Sequence, residues 1–142
     1  MKIFLDTSSL IKLYHTEQGT DELDKLLDEN SVQEIYLSEI AKIEFNSAVW
    51  KKVRTKDLTK EEADEIIGSF QTDYQKYSFI TTDHQLLNAA RDLVTKYGLA
   101  GIRTLDSIQL ASIVSVKKEL SLAITADDLL KSLINQEGVE SK

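Results

Sequence analysis

Apolar positions along the chain fall into short continuous runs separated by longer stretches with helical period. Lys2 to Asp6, built around Ile3-Phe4-Leu5, reads as a buried strand. Helices are predicted from about Thr7 to Tyr14 and from about Thr20 to Asn30, followed by a short strand at Glu34 to Leu37. Ser38 reads as the N-cap of a long helix running through Trp50 to about Arg54, and Leu58-Thr59 opens another to about Lys76. Ser78 to Thr81 is the third strand. A helix from about Asp83 to Tyr97 stops at Gly98, a further helix covers about Leu105 to Lys118, and a strand at Ser121 to Thr125 precedes a last helix ending near Asn135. The tail offers one more edge strand near Val139. Strand runs that are continuous rather than alternating, with helices between them, belong to a parallel sheet covered on both faces. Ligands of such sheets bind outside the carboxyl ends of the strands, where Asp6 and Asp127 both fall.

Glu44 breaks this pattern. It lies on the apolar stripe of the helix after Ser38, with Ile40 and Ala41 one turn before it and Ser47 and Ala48 one turn after. A carboxylate facing a core is costly unless paired, hydrogen-bonded or metal-bound, and no basic residue of its own stripe answers it. Asp6, Asp106 and Asp127 each carry two readings, as helix caps or as members of a shared acidic site. Glu44 sits mid-helix, which leaves a satisfied core acid or a site acid. Asp128, beside Asp127, is an alternative to it in the site, although its spacing from Thr125 more readily suggests a helix-cap partner, and Asp83 reads as an N-cap.

With 142 residues, 42% of them hydrophobic, the chain suits one domain over residues 1–142 with a real core. It contains no cysteine, which excludes disulfides and thiolate metal sites. The first strand begins after Met1, and no apolar run approaches the roughly 18 residues of a membrane span, so a cytoplasmic protein with no membrane partner is expected. A net charge of −7 argues against a nonspecific nucleic-acid coat but not against a nuclease, because acids gathered in one pocket prepare a cation site.

Leu5-Asp6-Thr7-Ser8-Ser9-Leu10-Ile11-Lys12-Leu13-Tyr14, Ser38-Glu39-Ile40-Ala41-Lys42-Ile43-Glu44, Leu105-Asp106-Ser107-Ile108-Gln109-Leu110-Ala111 and Ile124-Thr125-Ala126-Asp127 occur in that order. Together they resemble a PIN domain of the VapC toxin type, over nearly the whole chain. The resemblance implies a three-layer α/β/α sandwich whose central parallel sheet has four or five strands, in the order 3-2-1-4-5. It implies metal-dependent RNA cleavage, with Asp6, Glu44, Asp106 and Asp127 as metal ligands and catalytic residues, and Ser8 and Thr125 as polar pocket positions. It also implies an RNA substrate, a cognate antitoxin and a homodimer.

The chemistry suits that site. Mg2+ and Mn2+ are hard cations that prefer oxygen ligands, and one ion, or two about 3.5–4 Å apart, activates water for attack on phosphorus. Alternatives are a PIN-like RNA-processing or DNA-directed nuclease, a phosphoacceptor receiver domain and a binding scaffold without catalysis. The receiver pattern fits poorly, since Glu44 is mid-helix and Asp106 and Asp127 come late. Lys51-Lys52-Val53-Arg54-Thr55-Lys56, with Lys60, is the dense basic patch; it reads either as an RNA guide or as cations complementing a helix C-terminus. Tyr14 and Trp50 read as core or interface aromatics.

Overall fold

A computed structural model describes all 142 residues. Four parallel strands, β1 (Lys2–Leu5), β2 (Glu34–Ser38), β3 (Ser78–Ile80) and β4 (Leu122–Ile124), form a sheet in the order β3-β2-β1-β4. Helices α1 (Thr7–Leu10), α2 (Thr20–Glu29), α3 (Ala41–Arg54), α4 (Lys60–Thr72), α5 (His84–Lys96), α6 (Thr104–Ser115) and α7 (Asp128–Gln136) complete the α/β/α sandwich.

The continuous apolar runs are explained by the two cores they feed. Ile3, Leu5, Leu37, Leu122 and Ile124 join one cluster with Phe45 and Val49 of α3 and Phe70 of α4. Phe4, Tyr36 and Ala123 point the other way, into a cluster built from α5, α6 and α7. Alternate residues therefore leave on opposite faces, and both faces are dry. Tyr14 belongs to the first core. Its ring packs edge-on against Phe45 at 5.4 Å and Phe70 at 5.6 Å, and its hydroxyl donates to Asp73 at 2.8 Å, so it packs as a partly buried aromatic at the margin of that core. Trp50 is half-buried against the same cluster.

Ser38 is not a helix cap. It is the last residue of β2, fully buried and in register with Ile80, and its hydroxyl has no hydrogen-bond partner. Pairing with β3 holds its backbone extended, and α3 starts three residues later behind Ile40, which makes no side-chain cap. The first helix is also shorter than its apolar pattern: after Leu10 the backbone tightens into a 3-10 turn at Ile11–Leu13. Gly98 opens a 3-10 turn just beyond α5, while Gly101 takes the left-handed conformation. Two other caps form as the sequence predicts. Thr59 and Glu62 make a reciprocal capping box on α4, and Asp83 accepts from Leu86 N–H at the start of α5.

The tail lies parallel to β4 through a single bridge, Ala123 to Ser141, with Thr125 N–H donating to Lys142 C=O at 3.0 Å. It is the rudiment of a fifth strand. No helix is long and apolar enough to cross a membrane.

Candidate active site

The sheet reverses its winding between β1 and β4. The chain steps from β1 to β2 to β3 on one side and returns to place β4 on the other, so a crevice opens beyond the carboxyl ends of β1 and β4. Leu5 pairs with Ile124, and Asp6 N–H donates to Ile124 C=O at 3.2 Å. That register brings Asp6 beside Thr125.

Asp6 is 5% exposed and carries no ion pair. Its Oδ1 accepts from Ser8 Oγ at 2.7 Å and Ser9 N–H at 3.0 Å, and its Oδ2 accepts from Thr125 Oγ1 at 2.5 Å. Thr125 Oγ1 accepts in turn from Asp127 N–H at 3.0 Å, which fixes the direction of the hydroxyl proton. Ser8 Oγ likewise accepts from Ala126 N–H at 3.0 Å. Ser8 and Thr125 thus lock β1 to the β4–α7 turn around one carboxylate. Asp6 also caps α1, so the capping role and the site position coincide.

Glu44 reaches the same region from α3. Gln109 Nε2 donates to its Oε1 at 2.7 Å and Thr7 Oγ1 donates to the same atom at 3.1 Å. Gln109 Nε2 also lies 3.2 Å from Thr7 Oγ1. The sequence singled out neither Gln109 nor Thr7. Residues Ser107 to Ile113 of α6 are all buried, and a polar residue inside a helix buried all round must find partners; that is the signal Gln109 carried. Its carbonyl Oε1 is buried and unpaired.

Burial pushes the Asp6 carboxyl above its ordinary range, against the downward pull of Thr125, Ser8 and Ser9. Burial raises Glu44 as well, opposed by Gln109 and Thr7 and reinforced by the negative charges of Asp6 and Asp106. Glu44 is therefore within electrostatic reach of both Asp6 and Asp106. Asp106 occupies the first turn of α6, half-buried, with Arg103 Nε 3.4 Å from its Oδ2. Asp127 is the N-cap of α7, accepting from Leu130 N–H at 2.8 Å; it joins the cluster through its backbone and Thr125. Asp128 is exposed at the first position of α7, and the Thr125 hydroxyl points to Asp6 instead of closing a capping box with it.

No three His, Cys, Asp or Glu side chains stand together as a preformed metal nest. The donor chemistry nevertheless fits a hard cation. The side chains around Asp6 and Glu44 are oxygen-rich, both acids lack a cationic partner, and Mg2+ ordinarily binds through one or two carboxylates while keeping waters and taking substrate phosphates.

Several solved structures share this fold. FitAcB from Neisseria gonorrhoeae matches with a TM-score of 0.73 at 15% identity, over 98% of this chain and 95% of its own. VapC20 of Mycobacterium tuberculosis, a toxin that cleaves the sarcin-ricin loop, matches with a TM-score of 0.70 at 14% identity, over 92% of this chain and 94% of its own. VapBC from Salmonella typhimurium, seen bound to DNA, gives 0.66 at 13%, over 100% and 97%. At such identities the likeness is one of fold. No curated protein matches the chain at a significant level. Residues 3–133 match the PIN domain family, and the parallel sandwich with its switch-point crevice is the architecture expected of it; the chain belongs to the PIN domain family.

Proposed function

We propose that the chain is a metal-dependent endoribonuclease and the toxin half of a type II toxin–antitoxin pair. The observation that carries this reading is the juxtaposition of two uncompensated acids, Asp6 and Glu44, beyond the carboxyl ends of the central strands. Both acids accept hydrogen bonds that tie the fold together, but burial and their mutual repulsion oppose the ionised form. A cation would remove the conflict.

Asp6, Glu44, Asp106 and Asp127 are the residues we assign to Mg2+ or Mn2+. Bound there, the ion would lower the pKa of a water and neutralise charge developing on the phosphoryl group. The chain supplies orientation. Both hydrogen bonds to Glu44 fall on Oε1, which leaves Oε2 its full accepting capacity. The Asp127–Thr125–Asp6 relay fixes the second acid with no torsional freedom left to the threonine hydroxyl. Water attacking phosphorus with departure of the 3′ oxygen leaves a 5′-phosphate and a 3′-hydroxyl.

The toxin assignment rests on the family and on the likeness to VapC20, a toxin, and to FitAcB. It brings an RNA substrate, a cognate antitoxin and a homodimer as expected partners. Purified, partner-free protein incubated with mixed cellular RNA tests the reading: new cuts should appear with Mg2+ or Mn2+ and vanish in EDTA. Intact RNA under both conditions removes it.

A further inference from the structure

Beside the acid cluster lies an open groove of about 1030 Å³ walled by α2, the end of α3, the β4–α7 turn and the tail. Ser8 and Thr125, which hold Asp6, form its near end. Five lysines line it: Lys12, Lys51, Lys52, Lys131 and Lys142. They come from the 3-10 turn after α1, from α3, from α7 and from the tail, so no linear patch contains them. In a chain of net charge −7 this is a local reversal of sign.

Lys52 is committed to Glu17 at 2.7 Å, but Lys12, Lys51, Lys131 and Lys142 make no ion pair. The remaining acids of the groove are Glu22 and Asp57. Lys12 is directed by the fold. Gly19 takes φ +93°, and a Cβ there would lie 2.6 Å from Lys12 Nζ, so the ammonium rests against bare backbone. Lys142 is directed by the tail, whose carbonyl accepts from Thr125 N–H. By contrast Arg54, Lys56 and Lys60, which complete the basic run in the sequence, do not line the groove.

We propose that this groove holds the phosphate backbone of single-stranded RNA as it leaves the acid site. This deepens the nuclease reading and rests on it for the identity of the strand. The groove follows α3 away from Glu44, past Ala48 to Lys51, a distance of roughly 10 Å at the helical rise per residue. At about 3.4 Å per stacked nucleotide, that length accommodates about three nucleotides. The lining favours nucleic acid over an apolar segment: only 6 of the 20 residues are hydrophobic, and Ser8, Ser9, Thr55 and Thr125 line it alongside the lysines.

The test compares two charge-matched triple variants. Lys12→Gln/Lys131→Gln/Lys142→Gln empties the groove, and Arg54→Gln/Lys56→Gln/Lys60→Gln empties the outer patch. Binding of short random-sequence single-stranded RNA is measured in EDTA across a salt series, so that no cleavage intervenes. The groove triple should weaken binding at least about tenfold and lower the slope of log K against log salt by about 2, at about 0.7 for each lost phosphate contact. The outer triple should leave both near wild type. Equal effects from the two triples, or no RNA binding by wild type, overturn the proposal. So does tight binding of polyglutamate that the groove triple alone abolishes while RNA affinity stays unchanged, since that assigns the groove to an acidic protein segment. Mg2+-dependent cleavage by wild type, measured in parallel, separates the two readings. Cleavage with groove-independent binding rejects the groove alone, and groove-dependent binding without cleavage rejects the nuclease assignment alone.

Discussion

Gln109 on α6 donates to Glu44 on α3 at 2.7 Å, across 65 residues of sequence, and is the shorter of the two hydrogen bonds holding that acid. Hydrogen bonds to charged groups contribute about 1.5–3 kcal/mol, which corresponds to roughly 10- to 100-fold in whatever depends on the ionised, oriented form. Gln109→Leu should therefore fold, lose cleavage by about that factor and bind Mn2+ more weakly. Unchanged Mn2+ affinity together with an unchanged rate would show that Gln109 is only a packed core amide.

Asp127 caps α7, and one pair of substitutions separates that role from the metal-binding role proposed for it. Asn caps helices about as well as Asp, whereas Ala at an N-cap costs about 1 kcal/mol. Asp127→Asn should keep the thermal stability of wild type while losing cleavage; Asp127→Ala should lose both. Full activity in Asp127→Asn would reduce this residue to the cap of α7 that it visibly is.

The sequence made Glu44 legible because a charge on an apolar helical stripe is conspicuous, and it made Asp6 legible because a strand end is marked by the end of an apolar run. It could not separate a serine ending a strand from a serine starting a helix. At Ser38 the decision belongs to β3, whose pairing lies 42 residues downstream at Ile80. Thr7 stayed hidden for the same reason, since its meaning is a contact with Glu44, and the apolar helix around Gln109 signals only that it needs a partner, not that the partner is Glu44. Tyr14 stayed open between a core and an interface aromatic because the rings it packs against come from α3 and α4. Of the basic residues, Lys51 and Lys52 could be read as a patch, but only the fold joins them to Lys12, Lys131 and Lys142.

The raised proton affinities of Asp6 and Glu44 predict an unusual pH dependence for the metal-free protein. A carboxyl whose folded pKa exceeds its unfolded value favours folding while protonated. Its contribution is full below the ordinary values of 3.8 and 4.5 and is lost as pH rises through the folded pKa. Glu34 and Asp73 shift downward, held by Ser78 and Lys76, so they work in the opposite sense and the bare stability curve mixes both. Comparison with Glu44→Gln isolates the effect. In EDTA the variant should melt higher than wild type at neutral pH and close to it near pH 4, and Mn2+ should raise the wild-type melting temperature more than the variant's. A variant less stable than wild type at neutral pH without metal would mean that the ionised Glu44 is already compensated within the fold.

Control by a partner follows from the same unpaired acids. An inserted arginine would make charge-assisted, bidentate hydrogen bonds with them and compete with the cation. Coexpression with an antitoxin encoded beside this chain should relieve growth arrest and block cleavage. Replacing the inserted arginine should weaken that block more at high metal concentration than at low. A block insensitive to metal concentration would place the inhibitor elsewhere, while an absence of growth arrest would favour an RNA-processing role over a toxin.

The most direct measurement is the chemistry of the ends. Partner-free protein is incubated with mixed cellular RNA and Mg2+ or Mn2+, and the new termini are mapped for wild type, Asp6→Asn, Glu44→Gln and Asp106→Asn. Cuts bearing a 5′-phosphate and a 3′-hydroxyl, present in wild type, absent in EDTA and sharply reduced in all three variants, are the predicted result. Cuts that persist at wild-type rate in the variants, or that carry a 2′,3′-cyclic phosphate, would contradict hydrolysis by a cation held among these acids.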